Sequence, residues 1–162
     1  EMCIRDRERV LYYEPFVAFV PEGHALSEKK KINNDDLELD DLLLLEDGHC
    51  FKDSVIHLCK SQQGELENNF QLQSGSFETL IKLSNEGLGM TLLPYLHTLD
   101  LSEKQTKKLR YFTDPPPARE VSLIYSESEL KMQIIDALYD VISGVIRGAI
   151  RFNDVKIISP LK

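Results

Sequence analysis

The sequence lacks tryptophan and holds only three cysteines among its 162 residues. Three cysteines are too few for the disulfide framework of a small secreted domain. No apolar run approaches the roughly 18 residues of a membrane-spanning helix, so we expect no membrane partner. Lys and Arg number 19 against 27 Asp and Glu, and the net charge of −8 argues against a dominant nucleic-acid-binding surface. These absences leave an acidic domain that we expect to lie in the cytoplasm.

Composition permits a packed core, since apolar residues make up 42% and charged residues 28% of the chain. The sequence contains no HExxH, GxSxG or P-loop motif, and no internal repeat. Function therefore has to be sought in local features.

Strand-like and helix-like segments alternate along the chain. Predicted strands cover residues 16–21, 42–45, 70–73, 90–93, 109–112 and 121–125. Predicted helices cover residues 49–63, 77–86, 95–99 and 130–146, with a polar loop and a short helix at 22–41 and a tail at 151–162. This alternation predicts an α/β fold in which helices cover a parallel or mixed sheet.

Two of the cysteines, Cys50 and Cys59, fall in the predicted helix 49–63. Their spacing is not the CxxC of a thioredoxin-like or zinc site. Over this spacing a helix rises about 13 Å and rotates about 900°, which leaves the two side chains half a turn out of phase. A disulfide needs Cα atoms roughly 4.4–6.8 Å apart, so the two sulfurs can meet only if the helix breaks.

The helix also predicts different surroundings for the two thiols. An apolar stripe at helical spacing consists of Phe51, Val55, Leu58 and Cys59. Cys59 should therefore be buried and protonated. Cys50 lies in the first turn, where free backbone N–H groups and the helix dipole favour a thiolate. His49 and Lys52 stand beside it and can add positive charge or donate hydrogen bonds.

Two other interpretations of these cysteines stay open on spacing alone. Two cysteines of a cytosolic domain are commonly unrelated buried side chains. A metal site is the second alternative, because Cys50, Asp53 and His57 share one helical face. Three mixed ligands without a clear fourth form a weak metal signal, and we expect neither a metal nor a cofactor.

Three blocks of sequence resemble a known family. Residues 48–53 (Gly-His-Cys-Phe-Lys-Asp), followed by Cys59, are similar to the redox segment of OxyR-type regulators, the hydrogen-peroxide-sensing LysR-type transcription regulators. The Leu-Leu-Leu-Glu-Asp at 43–47 fits the same segment. Residues 76–80 and 87–94 resemble LysR-type effector domains in general. The resemblance covers about residues 11–146.

The resemblance implies a periplasmic-binding-protein-like effector domain with two α/β lobes. Residues 8–118 would form the complete second lobe, and 119–150 the returning strand and helix of the first lobe. The N-terminal winged helix-turn-helix would be missing. The apolar stripe of the predicted helix 130–146 is interpreted as mainly core, although part of it could face a partner subunit. Without the rest of the first lobe, we expect this piece to be marginally stable or to associate through the exposed stripe.

The first residues carry an interpretation of their own. Residues 2–7, Met-Cys-Ile-Arg-Asp-Arg, resemble a translated sequencing adapter. We therefore leave residues 1–7 out of the predicted fold and treat the sequence as a fragment. A natural flexible terminus is the alternative.

For the cysteines, the resemblance implies that Cys50 is the peroxide-reactive thiolate and Cys59 the resolving thiol. Hydrogen peroxide would then be the signal. A glutaredoxin- or thioredoxin-type reductant would reset the pair. A homodimer or tetramer of the full-length protein would contact DNA and RNA polymerase.

The resemblance also supplies supporting residues around Cys50. His49 and Asp53 would shape the pocket. Lys52 stands where many members have Arg, which keeps the charge but loses the planar fork. Arg119 resembles an arginine of the family whose charge steadies the Cys50 region, and an exposed surface arginine is the alternative.

The chain is thus expected to be a regulator and not an enzyme. Three rival interpretations stay open. These are a LysR-type domain that senses a small organic ligand, a thiol peroxidase, and an extracytoplasmic solute-binding protein.

Overall fold

A computed structural model describes residues 6–38, 41–46, 50–59, 73–128, 131–150 and 156–157. The strands are β1 (Asp6–Phe19), β2 (Lys31–Ile32), β3 (Leu42–Leu45), β4 (Gln73–Ser74), β5 (Met90–Pro94), β6 (Leu109–Phe112), β7 (Pro117–Ser126) and β8 (Lys156–Ile157). The α-helices are α1 (Cys50–Leu58), α2 (Phe77–Asn85), α3 (Glu103–Thr106) and α4 (Met132–Ala149). Short 3₁₀ helices occupy Ala25–Glu28, Asn34–Asp36 and Tyr95–Asp100.

The long strand β1 organises the sheet. Its last residues, Phe16 to Phe19, pair antiparallel with β5 on one side, and Val17 to Phe19 pair with β6 on the other. Its earlier part pairs antiparallel with β7, from Asp6 opposite Ser126 to Pro15 opposite Ala118. The first half of β1 and β7 thus form a two-stranded ribbon that leads into the main sheet.

The main sheet is mixed, with the order β2-β6-β1-β5-β3-β4. β2 runs parallel to β6, and β3 runs parallel to both β4 and β5. Helices cover this sheet, so the predicted α/β class is confirmed.

The core lies on both faces of the sheet, because alternate residues of a strand point in opposite directions. Phe16, Ala18 and Val20 join the larger cluster with the leucines of β3 and the inner side of α1. Val17 and Phe19 join the smaller cluster with Ile81, Leu93 and Leu109.

The segment from α2 to β5 forms as predicted. The Ser76 hydroxyl accepts a hydrogen bond from the Thr79 N–H at 3.2 Å and caps α2. Gly87, just beyond the helix, has a φ of 82°. Gly89 has a φ of 138°, and a Cβ there would lie 2.7 Å from the Asp41 carbonyl oxygen. The close approach of β3 to β5 therefore requires glycine at 89.

Both ribbon strands are longer than predicted. The sequence predicts strands only at 16–21 and 121–125, whereas β1 begins at Asp6 and β7 at Pro117. The ribbon is partly exposed and carries charged and polar residues along its length, so it has no continuous apolar run to mark it. Asp6 and Arg7, which were expected to lie outside the fold, are within β1.

Four further segments differ from the prediction or lie partly outside the described residues. α3 was not predicted, and β8 falls in the predicted tail, where it pairs with β7. The described part of the predicted helix 49–63 ends at Leu58. Of the predicted strand 70–73, only Gln73 lies within the described residues, where it begins β4.

α4 packs on the ribbon along a narrow contact. Arg9 forms an ion pair with Asp136 at 2.6 Å, and its guanidinium carbon lies 4.0 Å from the ring centroid of Tyr139. Within α4, only Ser143 is buried. The large exposed apolar side chains of α4 are Met132, Ile134, Leu138, Val141 and Val145. The interpretation of the stripe as mainly core is wrong for this chain, because Ile134, Leu138, Val141 and Val145 are exposed and the other residues of the stripe are only partly buried.

Candidate functional site

The helix α1 follows β3 and carries both cysteines of the predicted pair. Its sequence places an apolar residue on the inner side at each turn. Phe51, Val55, Leu58 and Cys59 are all buried, as predicted. Asp53 lies in the first turn and His57 in the last, which suits the helix dipole.

The two thiols lie in opposite surroundings. Cys50 begins α1 and is exposed, while Cys59 follows the last helical residue and is 1% exposed. Burial raises the pKa of Cys59 from 9.0 to about 12, because a thiolate there would lose its hydration. Both thiols are free. The helix therefore holds an accessible thiol and a protonated one apart.

The other residues predicted around Cys50 are divided between the surface and the core. Asp53 is exposed on α1, as Cys50 is. Lys52 is buried against β3, so its side chain lies on the inner side of the helix. His49 lies outside the described residues. The hydroxyl of Ser54 donates a hydrogen bond to the Cys50 carbonyl at 3.1 Å, within the first turns of the helix.

A chain of aromatic rings fixes α1 to its neighbours. The Phe51 ring lies 5.1 Å from that of Phe16 on β1 and 5.1 Å from that of Phe77 on α2, the second contact being edge-to-face. The Phe77 ring in turn lies 5.1 Å from that of His97. Such contacts add to the burial free energy of the rings. The residue next to Cys50 is thus a main anchor of the helix.

Arg119 reaches this anchor from the ribbon. In the β1–β7 register it lies directly opposite Glu14, and its Nε and Nη2 donate to Glu14 Oε2 at 2.9 and 2.7 Å. The other oxygen of Glu14 accepts the Leu96 N–H at 2.9 Å. The guanidinium carbon of Arg119 lies 5.2 Å from the Phe51 ring centroid, within cation–π range.

Arg119 therefore contacts α1 through the side chain of Phe51. Sequence reasoning missed Glu14, whose side chain is 1% exposed, and missed the ring chain around Phe51. One signal in the sequence could have found Glu14. It is an acidic residue directly before Pro15, at the start of a run that is otherwise apolar.

Neither a metal-binding cluster nor a membrane-spanning helix occurs among the residues that the structure describes. Within them, no group of three or more His, Cys, Asp or Glu side chains is arranged to hold a metal ion. No helix in the described ranges has the length and apolarity needed to cross a membrane.

Residues 6–146 match the family model described as the LysR substrate binding domain. The chain belongs to this family. It is 34% identical over 117 residues to the "Probable hydrogen peroxide-inducible genes activator" of Mycobacterium leprae. It is 30% identical over 115 residues to the DNA-binding transcriptional dual regulator OxyR of Escherichia coli K12. Each of these matches covers 71% of this chain and 37% of the relative, so the chain spans well under half the length of these relatives.

A solved structure shows a similar fold. The crystal structure of OxyR from Porphyromonas gingivalis superposes with a TM-score of 0.75 at 28% identity. The match covers 96% of this chain and 68% of that one. The fold is that of the OxyR regulatory domain, as the sequence resemblance implied.

Proposed function

We propose that this chain is the redox-sensing part of the regulatory domain of a peroxide-responsive LysR-type transcription activator. The observation that carries the proposal is the placement of Cys50 and Cys59 at opposite ends of α1, one exposed and one buried. The names of the relatives, hydrogen peroxide-inducible genes activators, support the same function.

In the proposed reaction, the thiolate of Cys50 attacks one oxygen of hydrogen peroxide. An S–O bond forms, the O–O bond breaks, and the departing hydroxide takes a proton to leave as water. The Cys59 sulfur then attacks the sulfenic sulfur of Cys50, forming the S–S bond as a second water leaves. Peroxide is reduced by two electrons, and the two thiols are oxidised to one disulfide.

The second step requires α1 to open. Cys59 is separated from Cys50 by about 13 Å of helix, well beyond the Cα separation of a disulfide. Opening withdraws Phe51, Val55 and Leu58 from the core, which costs roughly 5–9 kcal/mol at about 1.5–3 kcal/mol each. A rearrangement of this size supplies the two states that a regulator needs.

The residues around Cys50 complete the proposed site. His49 and Asp53 shape the pocket in which the hydroxide leaves, and Lys52 adds positive charge to the first turn of α1 from the buried side of the helix. Arg119 steadies this region through Phe51. The chemistry uses no metal and no cofactor.

The partners follow from the proposed role. A glutaredoxin- or thioredoxin-type reductant returns the disulfide to thiols in the cytoplasm. In the full-length protein, a homodimer or tetramer carries the change to DNA and to RNA polymerase. The proposed protein is a regulator and not an enzyme.

Thiol counting tests the proposal. We expect the purified Cys3→Ser chain to lose two thiols with about one equivalent of hydrogen peroxide. In that background, Cys59→Ser should accumulate a sulfenic acid, trapped with dimedone, and Cys50→Ser should show neither product. A dimedone-trapped sulfenic acid in the Cys50→Ser variant, with none in the Cys59→Ser variant, would contradict the assignment.

The same titration separates the rival functions. A thiol peroxidase would consume many equivalents of peroxide when a recycling thiol is supplied. A LysR-type domain for a small organic ligand would keep both thiols through the titration.

A further inference from the structure

The buried carboxylate of Glu14 has no part in the cysteine chemistry described above. We propose that Glu14 is a positioning residue that holds Arg119 against Phe51 and thereby sets the redox balance of the Cys50–Cys59 pair. This inference rests on the proposed function and concerns the control of that same site.

The first step is the fixed position of Glu14. Its side chain is 1% exposed, and both of its oxygens are bonded, one to the Leu96 N–H and the other to Arg119. A buried carboxylate needs such partners, because an unpaired charge in this environment is costly. Glu14 is therefore a rigid point at the end of the ribbon, tied to the segment that follows β5.

The second step is the transfer of this rigidity to Arg119. Two guanidinium nitrogens of Arg119 donate to the same Glu14 oxygen, at 2.9 and 2.7 Å. Two bonds from one planar group restrict its rotation as well as its position. The arginine side chain is 29% exposed, and without Glu14 it would be free to turn towards water.

The third step links this position to α1. The guanidinium lies 5.2 Å from the centroid of the Phe51 ring, and Phe51 is the residue next to Cys50. This contact exists while α1 is helical. It is lost when the helix opens to join the two sulfurs, because Phe51 must then leave the core.

The contact therefore stabilises the reduced form and not the disulfide form. Losing it should shift the balance towards the disulfide. A cation–π contact that is partly shielded from water corresponds to about a three- to tenfold change in an equilibrium constant. With Glu14 in place, a higher peroxide concentration or a more oxidising thiol buffer would be needed to convert the domain to its disulfide form.

Equilibration in glutathione buffers of known ratio tests this inference, with the Cys50–Cys59 disulfide quantified by thiol trapping. In the Cys3→Ser chain, Glu14→Gln should raise the oxidised-to-reduced ratio about three- to tenfold. Glu120→Gln is the matched control, since Glu120 is an exposed carboxylate on β7, the strand that pairs with β1, and should leave the ratio unchanged. An unchanged ratio in Glu14→Gln would overturn the inference.

A double-substitution cycle separates positioning from general destabilisation. Phe51→Leu removes the ring face and leaves both charges paired, and it should also raise the ratio. Adding Glu14→Gln to Phe51→Leu should then have no further effect, whereas additive effects would overturn the inference. If Glu14→Gln fails to fold, Arg119→Lys replaces it in the cycle, because lysine keeps the charge beside Glu14 and loses the planar face.

Failure of the inference differs from failure of the proposed function. If the unsubstituted Cys3→Ser chain forms no Cys50–Cys59 disulfide in any buffer, the proposed function fails, and this inference with it. If that chain forms the disulfide but Glu14→Gln and Phe51→Leu do not move the ratio, only the inference fails.

Discussion

Cys50 and Cys59 lie at opposite ends of α1, with the first thiol exposed and the second 1% exposed. The helix that joins them also separates them, because its inner face is anchored in the core by Phe51 and Val55. A bond between the two sulfurs is therefore incompatible with an intact α1.

The first prediction concerns stability at high pH. Burial raises the pKa of Cys59 to about 12 in the folded chain, against 9.0 for the ordinary thiol. Between these values the unfolded state loses the Cys59 proton and the folded state keeps it. The free energy of unfolding of the reduced chain should therefore fall as pH rises, by about 1.4 kcal/mol per unit from this group. Urea unfolding at several pH values should show a shallower fall for Cys59→Ala, and equal slopes would contradict the assignment.

The second prediction concerns the inner face of α1. Val55→Ala removes two methyl groups at a site that is 2% exposed. We expect the free energy of unfolding of the reduced chain to drop by roughly 1–3 kcal/mol. Val145→Ala makes the same change on α4 at a site that is 68% exposed, and it should change stability by less than about 0.5 kcal/mol. Equal effects at the two sites in urea unfolding would argue against a core-anchored α1.

The third prediction concerns the glycine between α2 and β5. Gly89→Ala places a Cβ 2.7 Å from the Asp41 carbonyl oxygen at a φ of 138°. Gly87→Ala meets open space at a φ of 82° and carries only the conformational strain. In thermal unfolding, Gly87→Ala should cost roughly 1–3 kcal/mol, and Gly89→Ala should cost clearly more. The reverse order would mean that β3 and β5 are not packed as closely as described.

The fourth prediction concerns the reduction potential of the proposed disulfide. Forming it requires buried side chains to leave the core, so the disulfide form starts at an energetic disadvantage. We therefore expect a potential less negative than about −300 mV, which cellular thiol systems can reverse. A more negative reduction potential, measured against a dithiothreitol couple, would be typical of a structural disulfide. It would contradict the role of this bond as a reversible switch.

The buried parts of the fold could be predicted from the sequence because local patterns specify them. The leucine run of β3 and the Ser76 cap of α2 fall where predicted, and so does the apolar stripe from Phe51 to Cys59. In each case one short segment carries the whole signal, either as a continuous apolar run or as a known cap and spacing.

The contacts that required the structure join residues far apart in the chain. Glu14 meets Arg119 only through the antiparallel register of β1 and β7, which no local pattern encodes. The burial of Lys52 depends on which side of α1 faces β3. The exposure of α4 depends on what covers it, and its periodicity predicts only that one face is apolar.

Hydrogen exchange combined with peptide mapping, before and after treatment with one equivalent of hydrogen peroxide, tests the central claim most directly. We predict a peptide cross-linked between Cys50 and Cys59, together with loss of amide protection across residues 51–59. Peroxide treatment that leaves both thiols free and the amides of α1 protected would contradict the account.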